Sequence, residues 1–188
     1  MLHLRIIVGI SGASGAIYGV RILQELNNIG VETHLIVSDW ACETIREETV
    51  FKVDDVKGMA SVVYNNRDMG AAISSGSFLT NGMIIAPCSM KTLAAIAQGY
   101  ADNLISRAAD VCLKEKRKLV VMPREMPFNT IHLENMLSLS RMGAVIASPV
   151  PSYYNCPQTI NDIVNQTVGR VIDQFALEQN LVKRWKDN

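Results

Sequence analysis

Short, nearly continuous apolar runs alternate along this chain with longer amphipathic segments. Leu4–Ile10, Thr33–Val37, Met83–Ala86, Leu119–Met122 and Ala144–Ala147 read as strands buried on both faces. Between them, Ala16–Ile29, Trp40–Glu48, Met90–Gln98, Asn103–Lys116 and Thr130–Met142 carry helical periodicity. A last helix is predicted over Thr159–Asn180, after the loop Pro149–Pro157, packing on the core or on neighbouring subunits. The alternation predicts an α/β fold: one domain over residues 1–188, a doubly wound parallel sheet with helices on both faces and right-handed crossovers. The stretch from Phe51 to Ser77 fits least well; a helix and an irregular loop, Ser74-Ser75-Gly76-Ser77, are expected there.

Such a sheet binds ligands beyond the carboxyl ends of its strands. The residues just past those ends are Ser11–Gly15, Ser38-Asp39, Pro87–Thr92, Pro123-Arg124-Glu125 and Pro149–Pro157. The first, Ser11-Gly12-Ala13-Ser14-Gly15, joins a buried strand to a helix start, where unpaired N–H groups and the helix dipole favour an anion. Glycines at 9, 12, 15 and 19 lack the Gly-x-Gly pair of a dinucleotide fingerprint. A tight turn that needs small residues is the alternative reading.

Composition narrows the choice. With 18 basic and 18 acidic residues among 188, the formal charge is zero, which argues against a nucleic-acid or membrane-surface protein. Cys42, Cys88, Cys112 and Cys156 form no Cys-x-x-Cys pair, and His3 and His132 complete no metal pattern. Free thiols in a reducing compartment, no signal peptide, no membrane span and a cytoplasmic location are expected.

Candidate chemistry sits in the same loops. Ser89 is a natural N-cap, and with Thr92 and the local amides it could hold ligand oxygens. Cys88 has no histidine partner visible in the sequence, so a packed thiol is expected. Arg124 suits bidentate phosphate recognition, with a surface ion pair to Glu125 as the alternative. On the last helix, Arg170 lies within about 20° of Ile163, at the edge of the apolar stripe, where it either snorkels or reaches an anionic pocket. Lys114 shares a helix edge with Arg107. Glu48 reads by default as a solvated helix residue, and as an acid–base group if it lies in an apolar cleft. Tyr153-Tyr154, among prolines 149, 151 and 157, form a stiff aromatic loop, and His34 is expected in the core.

These motifs carry a resemblance. Ser-Gly-Ala-Ser-Gly-Ala-x-Tyr-Gly at 11–19, Pro87-Cys88-Ser89-x-x-Thr92-Leu93, Arg107-Ala108-Ala109-Asp110-Val111 and Leu113-Lys114-Glu115 running on to Pro123-Arg124-Glu125 resemble the UbiX-like flavin prenyltransferases. So do His132-Leu133-Glu134-Asn135-Met136 and Pro151-x-x-Tyr154-x-x-Pro157-Gln158, in order along essentially the whole chain. The resemblance implies a single Rossmann-like or flavodoxin-like flavoprotein domain in a homo-oligomer, typically a dodecamer. It implies transfer of a dimethylallyl group from dimethylallyl monophosphate to N5 and C6 of reduced FMN, for use by a UbiD-type decarboxylase. Matched by motif, Gly12, Ala13, Ser14, Ser38, Ser89, Met90, Lys91, Thr92 and Arg124 would bind FMN. Lys114, Arg124, Tyr154 and Arg170 would grip the prenyl phosphate, Ser14 and Glu48 would move protons, and Glu125 would contribute near the substrate. No metal is implied. Asp39 departs from the family pattern, in which many relatives carry Lys.

Two other readings compete. An FMN-dependent cysteine-type decarboxylase would carry Pro-Ala-Ser-Ala-Asn-Thr where this chain has Pro87-Cys88-Ser89-Met90-Lys91-Thr92, without the Asn. A non-catalytic flavin-binding accessory protein would have no need of Ser14, Glu48, Lys114 and Arg170.

Overall fold

The structure is a computed structural model and describes residues 4–182 and 184–186, so His3 lies outside the described residues. Six parallel strands form one sheet in the order β3-β2-β1-β4-β5-β6. They are β1 (Arg5–Ile10), β2 (Glu32–Val37), β3 (Val62–Asn65), β4 (Gly82–Cys88), β5 (Lys118–Pro123) and β6 (Val145–Ile146). The helices are α1 (Ala16–Asn28), α2 (Asp39–Glu48), α3 (Val53–Gly58), α4 (Met90–Ala97), α5 (Leu104–Lys114), α6 (Thr130–Arg141) and α7 (Ile160–Ile172). The order reverses between β1 and β4. At that switch point the following helices depart to opposite faces and leave a crevice at the carboxyl edge.

Strand alternation fills two cores. Ile6, Val8, Ile10, Leu35, Ile84, Ala86, Val120 and Met122 pack beneath α1, α2 and α7. Their neighbours Ile7, Ile36, Met83, Ile85, Leu119 and Val121 pack beneath α4, α5 and α6. Burial on both faces explains why the central strands read as unbroken apolar runs. Close approach at the switch point requires Gly19, because a Cβ there would lie 2.3 Å from the carbonyl oxygen of Ala86. The buried Ser11 hydroxyl then ties β1 to β4, donating to the Pro87 carbonyl at 2.9 Å and accepting from the Ser89 N–H at 2.8 Å.

The predicted architecture holds, with three differences. The Phe51–Ser77 stretch contains α3, a 3-10 turn at Ala72–Ser74 and an edge strand, β3, that the apolar pattern did not show. Its Val62 and Val63 are 37% and 42% exposed, so β3 lacks the two-sided burial that marks the central strands. The last strand is only Val145–Ile146. The last helix ends at Ile172 instead of Asn180: a 3-10 turn follows at Asp173–Phe175, and Ala176 takes a left-handed conformation.

Candidate functional site

Two clefts flank the β1–α1 loop at the carboxyl edge. The first, of about 320 Å³, is lined by Gly12, Ser38, Asp39, Trp40, Asn66, Ser89, Lys91, Thr92, Ala95, Asn103 and Ile105. Hydroxyls and carboxamides dominate it, and three of the residues that carry them are helix caps. Ser38 accepts from the Ala41 N–H, Ser89 from the Thr92 N–H, and Asn103 from the Ser106 N–H. Gly12 is required here, since a Cβ would fall 2.3 Å from Trp40 Cβ. Asp39, where the family pattern has Lys, forms an ion pair with Arg67 at 2.7 Å.

The second cleft, of about 570 Å³, is mostly apolar. Tyr18, Pro123, Met126, Pro127, Phe128, Pro149, Val150 and Pro151 line it together with Ser14, Gly15, Arg124, Glu125 and Ser148. Arg124 is half-buried, and its N–H donates to the Cys88 carbonyl at 3.2 Å, which joins the ends of β4 and β5. The expected alternative, an Arg124–Glu125 ion pair, is absent among the described residues; Glu125 accepts instead from the Met126 N–H at 3.1 Å. Burial pushes the Tyr18 phenol above its ordinary value of 10.0, which keeps it a protonated hydrogen-bond donor on the cleft wall.

Glu48 stays exposed at the end of α2, as the default reading expects, and makes a contact that reading did not include. Its Oε2 accepts from the Gly15 N–H at 2.6 Å and the Ala16 N–H at 3.4 Å, so it occupies the N-terminus of α1. Gly15 is the N-cap, in the left-handed region at φ 96°, and has no side chain of its own to cap the helix. The first loop is therefore an anion cradle whose occupant is a carboxylate of the chain itself. A partner 33 residues distant is invisible to local sequence reading.

Cys88 is fully buried, and desolvation pushes its thiol up to about 12, so it remains a packed thiol as expected. His34 lies in the core as expected. Among the described residues, no group of three or more His, Cys, Asp or Glu side chains could hold a metal ion, and no helix is long and apolar enough to cross a membrane.

The fold thus gathers Gly12, Ser14, Ser38, Ser89, Lys91, Thr92, Arg124 and Glu125 around two adjoining clefts, with Glu48 bonded to the loop between them. Ala13 and Met90 sit in the same two loops without lining either cleft. It does not bring Lys114, Tyr154 or Arg170 into these linings. Lys114 ends α5, four residues before β5 begins, and so stands at the amino edge of the sheet, ion-paired with Glu115. The Arg170 side chain is 58% exposed and pairs with Asp173 at 2.8 Å, which replaces both the snorkelling and the pocket-reaching expectations within a single chain. Tyr154 follows the Pro149–Pro151 wall of the apolar cleft; its hydroxyl accepts from Gln166 Nε2 at 2.6 Å, and its ring meets Trp185 edge-on at 5.5 Å. Gln166, Tyr18 and Asn66 escaped the sequence reading. Tyr18 belongs to the opening motif, but Gln166 lies off the apolar stripe of α7 and offered no signal.

Comparison with known proteins places this geometry. The sequence pattern described as Flavoprotein matches residues 1–172. Flavin prenyltransferase UbiX of Thauera aromatica is 54% identical over 185 residues, covering 98% of this chain and 95% of that protein. The dodecameric FMN-dependent UbiX-like decarboxylase of Escherichia coli O157:H7 is 56% identical with a TM-score of 0.96, covering 97% of this chain and 100% of that one. AnUbiX (PadA1), solved in complex with FMN and dimethylallyl pyrophosphate, is 49% identical with a TM-score of 0.97, covering 98% of each chain. A match of this depth across the whole fold, with the site loops intact, means that the chain belongs to the UbiX-like flavin prenyltransferases of the flavoprotein family.

Proposed function

We propose that this protein transfers a dimethylallyl group from dimethylallyl monophosphate to N5 and C6 of reduced FMN, forming a prenylated flavin for a UbiD-type decarboxylase. The observation that carries this reading is the pair of adjoining clefts. A polar one, with capped helix starts and Lys91, meets an apolar one containing Arg124, and Gly12–Gly15 is the boundary between them. AnUbiX, of the same fold, was solved with a flavin and a prenyl diphosphate together.

The polar cleft fits FMN. Ser38, Ser89, Thr92, Asn66 and Asn103 offer neutral hydrogen bonds, Lys91 offers a cation, and the space beside Gly12 admits close backbone approach. Gly12, Ala13, Ser14, Ser38, Ser89, Met90, Lys91, Thr92 and Arg124 are the residues proposed to hold it. Reduced FMN supplies nucleophilic positions at N5 and C6. The chain's own work is to hold the donor beside them and to carry the charge of the departing phosphate as the donor's carbon–oxygen bond breaks. Arg124 can do so bidentately, and the apolar wall of Tyr18, Met126, Phe128 and Val150 keeps water from the dimethylallyl group. Glu48, fixed on the Gly15 amide, stands beside Ser14, and these two are proposed to move protons, with Glu125 contributing from the apolar cleft.

The remaining phosphate ligands are proposed to come together by assembly. Lys114, at the opposite edge of the sheet, serves the cleft of a neighbouring copy, and the exposed Arg170 likewise reaches an adjoining subunit. The dodecameric state of the Escherichia coli relative supports a homo-oligomer. A reducing, cytoplasmic setting accords with four free cysteines. The experiment is anaerobic incubation of the protein with reduced FMN and dimethylallyl monophosphate, followed by mass spectrometry of the extracted flavin. The expected flavin is heavier by one prenyl unit; an unchanged mass with both compounds bound overturns the reading.

A further inference from the structure

We infer that Gln166 is a positioning residue that fixes the direction in which Tyr154 donates its phenolic proton, an inference that rests on the proposed role of Tyr154 at the prenyl phosphate. Gln166 is only 4% exposed, although it lies off the apolar stripe of α7 that carries Val164 and Val168. A buried carboxamide must be hydrogen-bonded. Its Nε2 donates to the Tyr154 hydroxyl at 2.6 Å. The direction of that bond matters. A phenol that accepts from an amide keeps its own proton for a further acceptor, and none is present for it among the described residues. Had the amide oxygen faced the phenol, the proton would be spent inside the protein.

Two more observations aim that proton outward. Tyr154 is 45% exposed while its ring is held edge-on by Trp185, so the hydroxyl sits between the buried α7 face and open space. Arg170 follows Gln166 by four residues, one helical turn along the same side of α7. A donor and a cation one turn apart form a surface complementary to a phosphate oxygen, with Gln166 behind it and out of ligand contact. Among the described residues, Ser152 Oγ and Asn155 Oδ1 of the same loop are buried without partners, whereas the Tyr154 hydroxyl is tethered by Gln166.

Gln166→Met removes the donor at similar volume, and Gln166→Glu replaces the donor with an acceptor. For Gln166→Met the KM for dimethylallyl monophosphate is expected to rise about tenfold, with kcat and the FMN dissociation constant within twofold of wild type. Gln166→Glu is expected to raise KM further, because the carboxylate accepts the phenolic hydrogen bond and repels phosphate. Gln166→His, which keeps an N–H donor, is expected to restore most of the loss. In a Tyr154→Phe background, Gln166→Met should add nothing to KM. An unchanged KM in Gln166→Met, additive effects in the double variant, or equal loss of FMN and donor affinity overturns the inference. These outcomes are distinct from failure of the functional reading, in which the wild-type protein itself leaves FMN unmodified.

Discussion

The two edges of the sheet are built from the same strands and use polar residues in opposite ways. At the amino edge the groups close on one another. Arg5 Nε bonds Glu32 at 2.8 Å, and His34 bonds Glu32 through Nε2 at 2.9 Å and Tyr64 through Nδ1 at 3.0 Å. Asn81 accepts from the Arg5 N–H, and the Arg5 guanidinium lies 5.0 Å from the Phe78 ring centre. Because Glu32 as a carboxylate only accepts, Nε2 of His34 carries a proton. At the carboxyl edge, Ser38, Lys91, Arg124 and Glu125 line two clefts instead. A polar cluster that satisfies itself fixes a structure, and one that opens on a cavity can act on a ligand. Buried polar residues alone do not make a site; the direction of their hydrogen bonds does.

Glu48 is the sharpest test of that distinction, because it lines neither cleft yet is bonded to the loop between them. Glu48→Gln keeps an acceptor for the Gly15 amide, so FMN binding should persist while kcat falls about 10²–10⁴-fold, as expected for loss of an acid–base group. A wild-type kcat would assign Glu48 to capping alone and move it to the structural class. Gly12→Ala should weaken FMN binding about tenfold, roughly 1.4 kcal/mol, since the new methyl group meets Trp40 inside the polar cleft. Flavin fluorescence titration reads this directly; unchanged affinity would remove that cleft from flavin binding.

Smaller effects are expected where the carboxyl edge is only scaffold. Ser11→Ala leaves the half-buried Ser89 N–H without its side-chain acceptor, and thermal denaturation should show a loss of about 1–2 kcal/mol. At the amino edge, the hydrogen bond from His34, aided by Arg5, holds the Glu32 carboxyl below its ordinary value of 4.5. A lowered carboxyl value stabilises the fold above that ordinary value, and the contribution disappears as pH falls through the folded value. Glu32→Gln should therefore flatten the stability profile only below about pH 4.5, by about 1 kcal/mol or less. Turnover at neutral pH should not change.

The sequence disclosed much of this fold and less of the site, for physical reasons. Central strands were legible because burial on both faces leaves an unbroken apolar run, as in Met83–Ala86. Edge strand β3 was not, because Val62 and Val63 are exposed and only four residues pair. The overextended last helix followed a periodicity that continues past Ile172. Asp173 stops it by gathering Arg170, Gln179 and Arg184, contacts that arise from the folded-back tail. Within the site, strand-end loops could be aligned by topology alone, so Gly12, Ser89 and Arg124 converge as expected. Long-range pairs could not: Glu48 on Gly15 and Gln166 on Tyr154 depend on tertiary packing.

One residue crosses the comparison. Lys114 stands at the amino edge, yet its proposed partner is a phosphate at the carboxyl edge, which requires a neighbouring copy. The most direct test is subunit mixing. Lys114→Ala and Arg124→Ala proteins, each inactive alone, are dissociated, reassembled together and assayed for flavin prenylation by mass. Restored turnover in the mixture is predicted, because some clefts then pair an intact Arg124 with an intact Lys114 from the adjoining subunit. Activity no higher than the sum of the two separate variants would contradict a shared site and return Lys114 to the structural edge.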